Sequence, residues 1–312
     1  MRGTVSLKLT DFLALANSNI ALARQNNVQF TPTILRENLN KLGALMSDSP
    51  AVSYITDKIL TLPDRTIPVR IYSPAPDKAL SVLLHFHGGG HMCGSVALYD
   101  PICRHLANAA QCVVISVEYR LAPEHPYPAG IDDCEQVLMR YAELLGDVKH
   151  QHNVTIIGDS AGGAICTSLS MKSLTDKRIN IDQQILIYPS VDYTLNSPSL
   201  DSNGTGFLLE TTRIKWYFEQ YFQSTEADII KQASPLFGAM SAKLPKTLIF
   251  TAGCDPLRDE GIAYAKALIA AGVDVEHHSF DGMIHAYMLL HDLVKDECME
   301  TYQHIAEFMA KI

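Results

Sequence analysis

The sequence has no Cys-x-x-Cys pair, no histidine cluster at zinc-ligand spacing, no run of like charges and no apolar run long enough to span a bilayer. Each gap removes a class. Without metal-ligand spacing no metal and no organic cofactor is expected. Basic residues are in deficit, with 25 Lys and Arg against 34 Asp and Glu and a net charge of −9, so a nucleic-acid-binding or membrane-surface face is not expected. The seven cysteines (Cys93, Cys103, Cys112, Cys134, Cys166, Cys254 and Cys298) are scattered and odd in number, and read as reduced thiols of a cytoplasmic protein. The stretch Phe12 to Ala23 loosely imitates an export signal, but Asp11, Asn17, Ser18 and Asn19 break it into an amphipathic helix. Internal repeats, low-complexity tracts and long linkers are missing too.

What remains is a chain of 312 residues, 47% hydrophobic, enough to bury a large core as one big α/β unit with an added lobe. Residues 1–48 carry helical apolar spacing (Leu9, Phe12, Leu13, Ala16, then Ile34, Leu35, Leu39, Leu42, Leu45) and form a helical preface. Strands follow. Val52 to Leu60 and Ile67 to Tyr72 read as an antiparallel pair around Pro63-Asp64-Arg65, and core strands are expected at Val82 to Phe86, Cys112 to Val117, Val154 to Ile157 and Ile185 to Tyr188. Two more, Thr247 to Thr251 and Val275 to Phe280, flank a helix from Gly261 to Ala271, and a last helix runs from Glu297 to Ile312. Alternating strands and helices of this kind predict a mostly parallel sheet of about eight strands, covered by helices on both faces. One segment breaks the rhythm. Residues 194–244 open with a polar loop and continue into an aromatic helix, Arg213 to Phe222, which contains Trp216. The division expected is 1–48 and 194–244 as a cap, with 49–193 and 245–312 as the two parts of the core.

The densest chemistry lies at Val154-Thr-Ile-Ile-Gly-Asp-Ser-Ala-Gly-Gly163, a β-branched strand running through a tight turn into a helix. Its Gly-x-Ser-x-Gly pattern is that of a nucleophile elbow, with Ser160 at the turn. A serine that only caps the helix is the competing reading. A second glycine-rich stretch, Leu84-His-Phe-His-Gly-Gly-Gly90, comes directly off a strand. Bare N–H groups of Gly88 and Gly89, with that of Ala161, could receive an oxyanion, and donors of this kind are worth about 3 kcal/mol each at the transition state. A phosphate cradle is excluded because no Gly-Lys-Ser/Thr follows. His87 reads as an anchor of this loop.

Five blocks, His87-Gly-Gly-Gly90, Glu118-Tyr-Arg-Leu-Ala-Pro-Glu124, Gly158-Asp-Ser-Ala-Gly-Gly163, Asp255-Pro-Leu-Arg-Asp-Glu-Gly261 and Gly282-Met-Ile-His-Ala-Tyr287, resemble the hormone-sensitive-lipase family of esterases, in the family's order. The resemblance implies an α/β-hydrolase fold with a helical cap and serine-dependent hydrolysis of carboxylic esters. It implies Ser160 as nucleophile, Asp255 as acid and His285 as base, with Gly88, Gly89 and Ala161 as oxyanion donors. The order Ser, Asp, His along the chain is independently that of an α/β-hydrolase triad. Asp281, Asp259 and Asp159 compete for the acid; His277 and His278, inside the last strand, read as a core or edge pair.

His91 stands where the family commonly has a bulky aromatic, Glu118 where it has Asp, and Ala286-Tyr287 where it has Gly-Phe. His91, Asp159 and Trp216 are the residues expected against the substrate, with Asp159 also bracing the elbow. His91 either fills the aromatic's volume with a hydrogen bond to the cap or gives activity its own pH dependence. Substrates are expected to be small short- to medium-chain acyl esters. Amide or carbamate cleavage on the same triad is one rival. Another is a non-catalytic receptor like the plant gibberellin receptors, which lack the histidine found here as His285. The resemblance leaves pairing of two chains through the last strand and helix open.

Overall fold

The structure is a computed structural model that describes residues 3–223 and 226–311; Ile312, expected to end the last helix, and two residues of the 194–244 segment lie outside the described residues. Eight strands form one sheet in the order β1-β2-β4-β3-β5-β6-β7-β8. These are β1 (Tyr54–Thr61), β2 (Thr66–Ser73), β3 (Leu80–Phe86), β4 (Val113–Val117), β5 (His150–Asp159), β6 (Gln183–Ile187), β7 (Lys246–Cys254) and β8 (Val275–Ile284). The first pair and the β2–β4 junction are antiparallel and all other neighbours are parallel. Every strand expected from the sequence is present, and the last is longer than expected. Asp281 and Gly282 belong to β8, because β7 and β8 keep pairing past a register shift as far as Cys254 and Ile284.

The sheet divides two apolar cores by the period-two alternation of its strands. On β3, Val82, Leu84 and Phe86 join one core while Leu83 joins the other. The first core is closed by α4 (Ala129–Leu145), α5 (Ala161–Ser173) and α9 (Arg258–Ala270), and the second by α3 (Asp100–Ala110) and α10 (Lys295–Met309). Both faces of the central strands are therefore dry, which is why they read as unbroken apolar runs. The N-terminal helices α1 (Thr10–Gln25) and α2 (Pro32–Lys41) carry the expected amphipathic spacing; Thr31 caps α2 by accepting from the Ile34 N–H, with Pro32 at its first position. The 194–244 segment contributes α6 (Ser199–Ser202), α7 (Thr211–Phe222) and α8 (Ala227–Ala233). Among the described residues no helix is long and apolar enough to cross a membrane.

Where β5 passes into α5, backbone meets backbone. A Cβ on Gly158 would collide with the Gly162 carbonyl group, and one on Gly162 with the Phe86 carbonyl oxygen at the end of β3. The Gly-x-Ser-x-Gly spacing is thus a packing requirement: the first turn of α5 lies directly on the neighbouring strand. Gly162→Ala is expected to lower the unfolding free energy by about 3 kcal/mol, seen as a reduced urea midpoint with an unchanged slope. An unchanged midpoint would show that α5 can shift away from β3 without cost.

Candidate active site

Ser160 sits on the turn with φ 51° and ψ −118°, and its side chain makes no capping bond to α5. This excludes the helix-cap reading. Such a conformation costs on the order of 1–3 kcal/mol and persists only where the surroundings enforce it. Here the Ser160 N–H donates to Ile187 O at 2.9 Å and its carbonyl accepts from Ser190 N–H at 3.0 Å, fixing both sides of the turn to the end of β6.

The Ser160 Oγ lies 2.9 Å from His285 Nε2, and His285 Nδ1 lies 2.8 Å from Asp255 Oδ2. His285 leaves the end of β8 and Asp255 the end of β7, so their pairing follows from adjacent parallel strands ending at one sheet edge. Asp255 is fully buried, and its other oxygen accepts the Leu257 N–H at 2.7 Å. The competitors are elsewhere: Asp281 is exposed and accepts from Ser279 Oγ, and Asp259 pairs with Arg258. Asn203, which sequence reasoning missed, reaches from the inserted segment and donates to Asp255 O at 2.9 Å. A lone Asn in a polar loop carries no sequence signal for that task.

The glycine loop differs from expectation at one position. Gly88 N–H already donates to Asp159 Oδ1 at 2.7 Å, so it is not available to an oxyanion. Gly89 and Gly90, with φ of 123° and 64°, line the cavity beside Ser160 together with Ala161. Among the described residues the N–H groups of Gly89, Gly90 and Ala161 have no partner. Gly90 was missed because three consecutive glycines look alike until one N–H is seen to be taken.

Asp159 is a brace. It lines the cavity, yet both its oxygens are engaged inside the protein, Oδ2 accepting from Tyr99 OH at 3.0 Å. The loop's other hold is Tyr119, whose OH donates to His87 O at 2.6 Å while its ring stacks on His87 at 4.4 Å. His87 Nδ1 bonds Gly88 O at 2.8 Å, and burial pushes the His87 imidazole down to about 4, so it is a neutral anchor.

His91 is also buried. Its Nε2 meets Tyr193 OH at 2.8 Å and its ring lies flat on Tyr221 of α7, with centroids 3.8 Å apart. It fills the volume of an aromatic ring. Burial, with a smaller contribution from His87, pushes its pKa down to about 3, which removes the separate pH dependence allowed by the sequence. Trp216 does not line the cavity; it packs against Phe30 and Tyr217, whereas Arg213, Ile214, Tyr217 and Phe218 of α7 face inward. At about 100° per residue the inward face of a helix takes positions i, i+1, i+4 and i+5, which leaves Trp216 off that face. His277 bonds Thr251 Oγ1 and His278 stacks on His304, both along the edge strand and away from Ser160.

The cavity above Ser160 has a volume of about 370 Å³. Its floor is Gly89, Gly90, Ser160 and His285, and its apolar walls come from α1, α2 and α7.

A buried Asp–His–Ser relay at the carboxyl edge of a mostly parallel sheet, set on a strained strand-to-helix turn, defines a serine hydrolase of the α/β-hydrolase type. Residues 83–289 match the family described as alpha/beta hydrolase fold. The chain belongs to that family, within its hormone-sensitive-lipase group of esterases. It is 34% identical over 268 residues to an ethyl acetate hydrolase of Pseudomonas putida, covering 83% of each chain. It is 35% identical over 288 residues to the carboxylesterase NlhH of Mycobacterium tuberculosis, covering 89% of this chain and 84% of that one. Among solved structures, a hyperthermophilic esterase from Pyrobaculum calidifontis superposes with a TM-score of 0.86 at 28% identity, covering 98% of both chains.

Two outcomes follow from this geometry. Burial raises Asp159 from its ordinary value of 3.8 to about 6, outweighing the Tyr99 and Gly88 hydrogen bonds that lower it. A carboxyl raised in the folded state contributes stability below its unfolded pKa and loses it as pH rises through the folded one. Asp159→Asn is therefore expected to exceed the parent in stability at pH 8 by up to about 3 kcal/mol, the gap closing toward pH 4, as read by urea unfolding across pH. His91→Phe is expected to leave the shape of the pH–activity curve unchanged from pH 5 to pH 9; a displaced acid limb would show that His91 titrates there.

Proposed function

We propose that this chain is a carboxylic ester hydrolase that cleaves short- to medium-chain acyl esters through an acyl-enzyme, with residues 1–48 and 194–244 acting as its cap. The observation that carries the reading is the Ser160–His285–Asp255 relay opening onto an apolar cavity beside three unpartnered N–H groups. In this mechanism His285 Nε2 takes the Ser160 Oγ proton as the oxygen attacks the acyl carbon. The carbonyl oxygen becomes an oxyanion received by the N–H groups of Gly89, Gly90 and Ala161. Collapse breaks the bond to the alcohol oxygen, which takes the proton from His285. Water then enters, His285 removes its proton, and the acid leaves with Ser160 restored. Asp255 keeps Nδ1 protonated, so that Nε2 is the atom facing serine.

Substrate size rests on the cavity. Its volume of about 370 Å³ lies at the lower end of the usual range for small-molecule sites, roughly 300–1,000 Å³. Helices α1, α2 and α7 wall it off, which suits dissolved esters. The wider setting is part of the same proposal. Seven buried free cysteines suit a reducing, cytoplasmic compartment, and the terminal strand β8 offers an edge along which two copies could pair.

Hydrolysis of p-nitrophenyl esters from acetate to palmitate is expected to peak in the short to medium range, and Ser160→Ala to reduce kcat by about 10³-fold or more. A folded parent protein inactive on every ester, or a Ser160→Ala variant as active as the parent, would contradict the proposal.

A further inference from the structure

A second cluster of chemically capable side chains lies away from Ser160. Asp48, on the loop after α2, His105, on α3, and His291, just beyond β8, each bring one ligand atom to within 4.8 Å of the others. They are far apart in sequence, so no ligand spacing announces them. His291 is 97% buried, since only 3% of it is exposed, and neither of its ring nitrogens has a hydrogen-bond partner. An imidazole buried with both nitrogens unsatisfied forfeits about 1–3 kcal/mol for each group unless something binds there.

The surrounding contacts leave room for a cation. Lys295 Nζ holds Asp48 Oδ2 at 2.8 Å, which leaves Oδ1 facing His105 Nε2 at 4.0 Å. His105 Nε2 also bonds the Asp48 carbonyl oxygen at 3.1 Å, so a cation would exchange that bond for one to nitrogen. The His105 ring stacks on His291 with centroids 5.1 Å apart, and His291 Nδ1 lies 3.7 Å from Asp292 Oδ1. Ligand atoms about 2.0–2.1 Å from a tetrahedral ion sit about 3.4 Å apart, so side-chain rotations that bring the cluster's atoms closer by up to about 1.4 Å suffice. Two imidazoles and one carboxylate suit zinc or a neighbouring first-row divalent ion, whereas magnesium and calcium require mostly oxygen ligands.

We propose that Asp48, His105 and His291 bind a divalent transition metal of the zinc type, with water in the fourth position. The ion acts as a clamp. It ties the loop leaving α2 and the helix α3 to the segment that follows His285, which Asp292 already joins to Leu45 O and Ser47 N–H. This inference goes beyond the hydrolytic reading and takes no part in ester cleavage.

The test is zinc titration of the chelator-treated full chain by calorimetry, with thermal unfolding followed in parallel and magnesium as the control ion. The expected result is one zinc per chain, a Tm that rises with zinc and not with magnesium, and at least 10-fold weaker binding in both Asp48→Asn and His291→Asn. His304→Ala, which alters a histidine on another surface, should bind zinc as the parent does. Asp48→Asn keeps volume at a partly exposed position, so it decides the matter alone if His291→Asn does not fold. Zinc uptake that survives Asp48→Asn undiminished, or the absence of any zinc-dependent rise in Tm, would overturn the proposal.

Discussion

Asp159 is the residue through which the elbow and the glycine loop become one object. Its carboxylate is buried at the end of β5 between the glycine loop and Tyr99, where an unpaired charge would be very unfavourable, and it is made tolerable by the Gly88 N–H and the Tyr99 hydroxyl. That bond takes one N–H, and among the described residues those of the next two glycines, which line the cavity with Ser160, have no partner. The close approach of Gly162 to Phe86 fixes the same two segments from below. The positions of Ser160 and of the glycine loop are thus set by one buried carboxylate and one backbone contact, and the strained Ser160 turn is held in place by bonds on either side.

Asp255 and His285 arrive by a different route. Parallel strands β7 and β8 end side by side, so Asp255 and His285 meet without a long loop between them. The turn carrying Asp255 is then secured by the inserted segment: Asn203 holds the Asp255 carbonyl, and Ser199 Oγ donates to Pro256 O at 2.7 Å. The same segment supplies α7, whose inner face walls the cavity. Anything that displaces the insertion therefore disturbs both the Asp255 turn and the cavity wall.

The neutral histidines near the site follow from burial. His87 and His91 each have a hydrogen-bonded nitrogen and an aromatic ring stacked against them, and burial pushes both well below the ordinary imidazole value. His285 differs in having a carboxylate oxygen of Asp255 2.8 Å from its Nδ1 and the Ser160 hydroxyl 2.9 Å from its Nε2. Three histidines within one neighbourhood sit in different settings because their partners differ.

Much of this was legible in the residues alone. Strands buried on both faces announce themselves as apolar β-branched runs, and Gly158 and Gly162 mark the elbow because only a missing Cβ permits that crossing. Ser160, Asp255 and His285 follow each other in an order that the α/β topology turns into neighbours. The unread parts depended on direction in space. The loss of the Gly88 N–H to Asp159, the outward turn of Trp216 and the stacking of His91 on Tyr221 are settled by which way a backbone amide or a ring points, and no pattern along the chain records that. Asn203 beside Asp255, and Asp48 beside His105 and His291, are further from view still. Their partners lie tens to hundreds of residues away, so only the folding of the chain brings those polar atoms within reach of one another.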